Sequence, residues 1–174
     1  TEKHVKLMEE HGWSKYFDVD IMDAGGEVKL DIPDGHQIKE DYVGKDMMDY
    51  DSMVVMSHFK GHPMGGFGGA LKQLSIGCAS SHGKIHIHCG GREDELNNDM
   101  FSADQIEFLN SMADAASAVA KHFGDNIVYL NAMVNLSVDC DCCGEGANPE
   151  ARACRTLGFW LALTLSQSTR PALI

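Results

Sequence analysis

Positive charge is what this chain has least of: 14 lysines and arginines stand against 26 aspartates and glutamates in 174 residues, a formal net charge of −12. A nucleic-acid or anionic-membrane partner is therefore not expected. Long apolar runs are missing as well, and none approaches the ~20 residues that a membrane span needs. There is no initiator Met and no signal peptide, and the chain opens inside a helical pattern, so further residues are expected ahead of Thr1 and the chain reads as a fragment. Evenly spread cysteines are lacking too. Of six, three crowd into Cys140, Cys142 and Cys143, which does not suit a disulfide framework. A reduced cytoplasmic setting with thiolate chemistry is the expectation.

What remains is the composition of an ordinary globular protein, 44% hydrophobic and 23% charged, long enough for one domain with a core. Thr1 to Trp13 places Val5, Leu7, Met8 and Trp13 at nearly helical spacing. Three short strands are predicted next, Phe17 to Met22, Glu27 to Ile32 and Gln37 to Val43, separated by Asp23-Ala24-Gly25-Gly26 and Pro33-Asp34-Gly35. Together they read as an antiparallel meander with one wet face. Met53-Val54-Val55-Met56 reads as a buried strand, Gly69 to about Ile76 as a helix, and the alternating Lys84 to Cys89 as a strand. Ser102 to Phe123 carries an apolar stripe that includes Ile106, Leu109, Met112 and Ala116, with Ser102 and Gln105 as an expected capping box and Gly124 as the stop. Asn126 to Val134 reads as a second buried strand. Strand, helix and strand in that order predict an α/β fold: a mixed sheet with flanking helices and the antiparallel meander near the N-terminus.

The chemistry concentrates in Ser57 to Lys84, SHFKGHPMGGFGGALKQLSIGCASSHGK. A buried strand empties there into His58, Lys60 and His62, then Gly65, Gly66, Gly68 and Gly69, then Lys72. A strand that opens into glycines and a helix is the usual layout of a ligand crevice in an α/β sheet. The glycines would let backbone amides approach a small anionic ligand, the lysines would hold its charge, and His58 or His62 would act as ligand or general base. Isolated His4, His11 and His36 read as surface residues.

Asp139-Cys140-Asp141-Cys142-Cys143-Gly144 is soft-metal chemistry, since thiolates bind zinc, copper(I) or iron–sulfur clusters. The spacing matches neither paired CxxC nor a CxxCxxC run. A fourth ligand has to come from elsewhere, with Cys89, Cys78, His86 and His88 as candidates.

The glycine- and histidine-rich stretch, together with Asn135 to Gly144 (NLSVDCDCCG), resembles the family of uncharacterised iron–sulfur-centre proteins, also called domain of unknown function 362. The resemblance runs from Thr1 to about Gly146. It implies an α/β body, a terminal cysteine motif and, in many members, a ferredoxin-like insertion after a Ser-Ser-x-Gly-Lys element. Ser80-Ser81-His82-Gly83-Lys84 matches that element, which makes Lys84 a cofactor-binding candidate, but no such insertion follows. The expected domain therefore spans 1–146, and 147–174 is an atypical tail. Read one frame over with synonymous codons chosen freely, the peptide from Arg155 onward can become DIGILACTDPVAIDQACLD, similar to the family's usual continuation. A frameshift between about Gly144 and Arg155 is the expectation.

The resemblance and the residues together imply a metal- or iron–sulfur-binding protein, of redox type, with a His/Lys/Gly-rich crevice for a small anionic ligand or redox partner. The cofactor would be an iron–sulfur cluster or other thiolate-bound metal on Cys140, Cys142, Cys143 and Cys89. Two alternatives stand beside it. One is an enzyme similar to nickel-pincer hydroxy-acid racemases, on the H-F-x-G-x-x-x-G-G pattern. The other is a truncated, non-catalytic remnant.

Overall fold

The structure, a computed structural model, describes residues 2–92, 102–137 and 158–164. Its elements in chain order are α1 (Glu2–Glu10), β1 (Glu27–Asp31), β2 (Glu40–Gly44), β3 (Met53–His58), β4 (Lys60–His62), β5 (Gly66–Gly68), α2 (Ala70–Lys72, continued by a π-helical turn Gln73–Gly77), α3 (Ser81–His88), α4 (Gln105–Phe123), β6 (Ile127–Met133) and β7 (Gly158–Ala162). The fold is α/β, with a mixed sheet β3-β6-β7 in which β3 runs parallel and β7 antiparallel to the central β6. An antiparallel β1–β2 pair lies near the N-terminus, in register from Glu27 opposite Gly44 to Asp31 opposite Glu40.

Two expected strands are not strands. Phe17 to Met22 forms no ladder; it exposes Phe17 and Val19, and it is tied to the body by the Tyr50 hydroxyl donating to Asp20, by the Met22 carbonyl accepting from the Asp46 amide at 3.0 Å, and by Met22 packing against the core. Its Met22 end packs against the core while residues 17–20 stay exposed, so pairing would bury no alternating face. Lys84 to Cys89 lies within and just beyond α3. Ser80 caps that helix, its Oγ accepting from the Gly83 amide at 2.9 Å, and the face it buries holds Gly83, His86, Ile87 and His88. Period-2 alternation was therefore coincidental: two imidazoles do the packing expected of aliphatic side chains.

The long helix sits where predicted, but Ile106 of the expected stripe is 65% exposed while Phe108 leads the buried face, and the cap lies two residues later than Ser102. Asp104 accepts from the Glu107 amide at 2.9 Å and the Glu107 side chain returns the bond to the Asp104 amide at 3.1 Å. A carboxylate is the better acceptor at the positive end of a helix. Arg92 forks onto both Glu107 oxygens at 2.7 Å and fastens this cap to the end of α3. Further along, the Asp114 carboxylate accepts from the amides of His36, Gln37 and Ile38, which clamps the β1–β2 connection to α4.

The core has two parts, and α4 belongs to both. Ala116, Val119 and Phe123 pack with Val55, Leu74 and Tyr129 under the sheet. Phe108, Met112 and Ala115 pack with Ile32, Ile38 and Ile87 beneath the β1–β2 connection and α3. β7 joins the sheet through its backbone and buries Ala162, while Phe159, Trp160 and Leu161 remain exposed. Among the described residues no helix is long and apolar enough to cross a membrane.

Candidate functional site

β3 delivers the site because of what lies beyond its end. Its inward positions Val55 and Ser57 are buried, and the strand runs through His58 into the short hairpin β4–β5, where Lys60 pairs with Gly68 and His62 with Gly66. Phe59 and Phe67 stack at 5.4 Å and stiffen that hairpin. Gly69 then turns the chain into α2. A Cβ there would sit 3.1 Å from both Asn131 Oδ1 and Phe59 Cδ2, so glycine allows the close approach. Asn131 Oδ1 in turn accepts from the Ala70 amide at 3.0 Å and pins the start of α2 to β6.

The result is a crevice of about 200 Å³ lined by Ser57, His58, Lys60, Gly68, Gly69, Lys72, Gln73, Ile76 and Gly77. Two other hollows, of about 270 and 330 Å³, are larger. Neither holds a lysine, and the crevice stands out by chemistry rather than size. Its histidine is oriented: His58 Nε2 lies 2.7 Å from the Val134 carbonyl. A carbonyl oxygen can only accept, so Nε2 carries the hydrogen in that bond. The lysines converge on the glycine between them. A Cβ on Gly68 would lie 3.4 Å from Lys60 Cε and 3.6 Å from Lys72 Cδ, so the two stems are no further apart than the sum of those distances. Lys72 also acts electrostatically on His88. Burial depresses the His88 pKa, its bond from Nδ1 to the Lys84 carbonyl opposes that, and the Lys72 charge adds to the depression.

Of the residues expected from sequence, the structure thus brings His58, Lys60, Gly68, Gly69 and Lys72 together. It does not bring the others. His62 accepts the Gly65 amide on Nδ1 at 2.9 Å and its ring lies 6.5 Å from that of Phe108, toward α4. Gly65 and Gly66 form the hairpin tip, where the positive φ of Gly66, 73°, explains the glycine without a ligand. Lys84 stands on α3, outside the lining. His4, His11 and His36 are exposed, as expected. Ser57, Gln73 and Ile76 line the crevice without having been singled out; a serine at an inward strand position looks like a core residue by alternation alone.

The metal expectation fares differently. Cys140, Cys142 and Cys143 lie outside the described residues. Cys89 is buried at the end of α3, its thiol donating to the His86 carbonyl at 3.6 Å. Cys78 is buried too, and burial first, then the nearby Asp41, push its thiol up to about 12. Among the described residues no group of three or more His, Cys, Asp or Glu is placed to hold a metal ion. Three of the four expected ligands lie outside the residues that this statement covers, and Cys89 is the one that is described. Beyond β6, the Val134 carbonyl takes the bond from His58, and the Ser137 carbonyl accepts from the Gly61 amide at 2.7 Å.

A second set of titratable groups shares none of the crevice lining. His82 Nδ1 and Glu27 Oε1 are 3.0 Å apart, Ser80 Oγ also donates to Glu27, and the Tyr42 ring lies 4.2 Å from His82 and 5.3 Å from His86. The Ser80 bond is the main reason the Glu27 carboxyl sits below its usual pKa. These contacts join β1 and β2 to α3, and they surround no cavity among those described.

No curated protein and no solved structure matches the chain. A family model does, that of Domain of unknown function (DUF362), over residues 1–161. That span takes in the glycine hairpin, the long helix, the central strand and most of β7, and on its extent the chain belongs to the Domain of unknown function (DUF362) family.

Proposed function

We propose that the protein binds a small anionic ligand in the crevice beyond β3 and exchanges a proton with it through His58. The observation that carries this reading is convergence: His58, Lys60 and Lys72, from β3, β4 and α2, all line one hollow of about 200 Å³, and His58 also borders a hollow of about 170 Å³ with Met56, Leu130, Ala132 and Phe159. In a chain of net charge −12, two lysine stems meeting over a single glycine form a local attractor for negative charge. The ammonium groups hold charge that the ligand carries or develops, while His58, oriented by its bond to the Val134 carbonyl, removes or returns the proton. One histidine of this kind borders the crevice. The hydroxy-acid racemase reading would want His62 beside it, and His62 is engaged with Gly65 instead.

Isothermal titration of the full chain with acetate, lactate, succinate and inorganic phosphate tests the binding. Lys72→Met should weaken it by about tenfold or more, the scale of one charge-assisted hydrogen bond. His58→Gln should keep binding but abolish exchange of ligand hydrogen with deuterated water followed by NMR. Absence of any binding, or binding indifferent to Lys72→Met, removes the reading and favours a non-catalytic remnant.

The thiolate reading is a separate proposal resting on sequence: Cys140, Cys142 and Cys143 bind a metal, an iron–sulfur cluster foremost, in a cytoplasmic setting that keeps them reduced. Such a group would supply electron transfer. Iron content and visible absorbance of anaerobically purified protein, compared with single Cys→Ser variants at these positions, decide it; colourless, iron-free protein removes it.

A further inference from the structure

We infer that the ligand of the crevice is an amphipathic organic anion, an acidic head joined to a short alkyl chain or a single ring, and that its apolar arm lies against Met56, Leu130, Ala132 and Phe159. This inference rests on the anion-binding reading above and goes further by naming the ligand class and the residues that select it. Those four side chains, with Ser57 and His58, line a second hollow of about 170 Å³. Ser57 and His58 line the crevice as well, so the two hollows meet along this pair of residues. Alternation explains how one strand serves both. Val55 and Ser57 are the buried positions of β3, whereas Met56 and His58 belong to its outer face. The register then sets Leu130 opposite Met56, Ala132 opposite His58 and Phe159 opposite Ala132, which places the histidine among four apolar side chains.

The wall of the second hollow has apolar surface left to bury. Met56 is 70% and Phe159 67% exposed, and Leu130 and Ala132 are only partly buried. An arm laid on that wall takes water off it, at about fourfold in affinity for each methylene fully covered. A few polar groups that fix orientation, beside an apolar lining that supplies affinity, is the usual division of labour in a small-molecule site. Continuity with the crevice makes the occupant an arm of the same ligand. With its head in the crevice and its arm against Phe159, that ligand lies across His58, where the reading above needs the exchanged hydrogen to be.

The experiment is titration of the full chain, at fixed ionic strength and pH 7.5, with two series of growing apolar arm: acetate, butyrate and hexanoate, and methyl, butyl and hexyl phosphate. The series that binds identifies the head, and within it the six-carbon member should bind at least about tenfold more tightly than the one with the shortest arm. Two variants read the wall. Met56→Ala with Phe159→Ala strips it, and Ala132→Leu fills the hollow; each should bring the ratio of longest to shortest member toward unity, with melting temperatures close to that of the parent. Hexanamide, which keeps the arm without the charge, should bind far more weakly than hexanoate if the carboxylates are the series that binds, and hexanol should do so against hexyl phosphate if the phosphates are. Affinity that does not rise along the series overturns the inference while leaving anion binding intact, and a flat series in a chain that sediments as a dimer assigns the hollow to a second copy instead. A rise that survives both variants overturns the role of these four residues. An uncharged analogue that binds as tightly as its anion shows the wall acting without the crevice, which overturns the single spanning ligand. If neither series binds, the anion-binding reading itself fails.

Discussion

Asp41 on β2 is fully buried, and its two carboxylate oxygens fare unequally. Oδ1 accepts from the Tyr42 amide at 2.9 Å; Oδ2 has no hydrogen-bond partner among the described residues. Burial raises its pKa from 3.8 to about 6, against the pull of the Tyr42 bond and of His86. The folded state thus holds the Asp41 proton more tightly than the unfolded chain does. The associated stability is fully present below pH 3.8 and is lost as pH rises through about 6. A shift of that size corresponds to roughly 3 kcal/mol. Asp41→Asn, neutral at every pH, should melt above the parent protein at pH 7.5 and level with it near pH 3.5. A gap that stays constant across thermal melts from pH 3.5 to 7.5 would mean that Asp41 does not titrate in this range. Nothing in the sequence marks this residue, since an acid in an alternating strand reads as solvent-facing. Ser57 escapes notice for the opposite reason, as a small residue where a core residue is expected. The lysines and His58 were legible because their chemistry is declared by type; whether a hydroxyl or carboxyl has a partner depends on neighbours that only the fold supplies.

At the scale of elements, legibility followed the apolar stripe. α4 shows one along its length, and it is the helix that both halves of the core share. α3 has no such stripe: Ile85 and Ile87 alternate with histidines, and the helix is set by its Ser80 cap and by contact with β2. Gly83 marks that contact. A Cβ there would lie 2.1 Å from the Tyr42 carbonyl oxygen and 3.0 Å from its carbon, backbone atoms that cannot swing aside. In an isolated helix Gly→Ala gains about 1 kcal/mol. Here Gly83→Ala should instead cost roughly 3 kcal/mol, the upper end of what overpacking brings, because α3 and β2 must part. Urea denaturation reads this directly, and a variant as stable as the parent would show that helix and strand are not pressed together. The same separation would disturb the contact of Tyr42 with His82, and with it the His82–Glu27 pair that ties α3 to β1.

The whole molecule is covered unevenly. Helices pack on one face of β3-β6-β7, where Val55, Ile127 and Tyr129 are buried. On the other face Val54 and Met56 are 65% and 70% exposed, and Phe159 and Leu161 are 67% and 63% exposed. Strand register places Met56, Leu130 and Leu161 in one row and His58, Ala132 and Phe159 in the next, so this is a continuous apolar surface that reaches the catalytic histidine proposed above. The protein should enhance the fluorescence of an apolar dye such as ANS while fully folded, and Phe159→Lys with Leu161→Lys should remove most of that signal with little change in melting temperature. A dim parent protein would show that this face is not open in solution.

The parallel pairing of β3 with β6 also imposes an order in time. Met53 and its partner Ile127 are separated by about 70 residues of chain, so their contact ranks among the slow, non-local events of folding. At a translation rate of roughly 5–20 residues per second, several seconds pass between the synthesis of the two strands. Throughout that interval His58 exists without the carbonyl that orients it and α2 without the asparagine that anchors it. The proposed crevice therefore cannot assemble on a nascent chain until Asn131 and Val134 have been made, and whatever shields β3 on the ribosome must do so for that long.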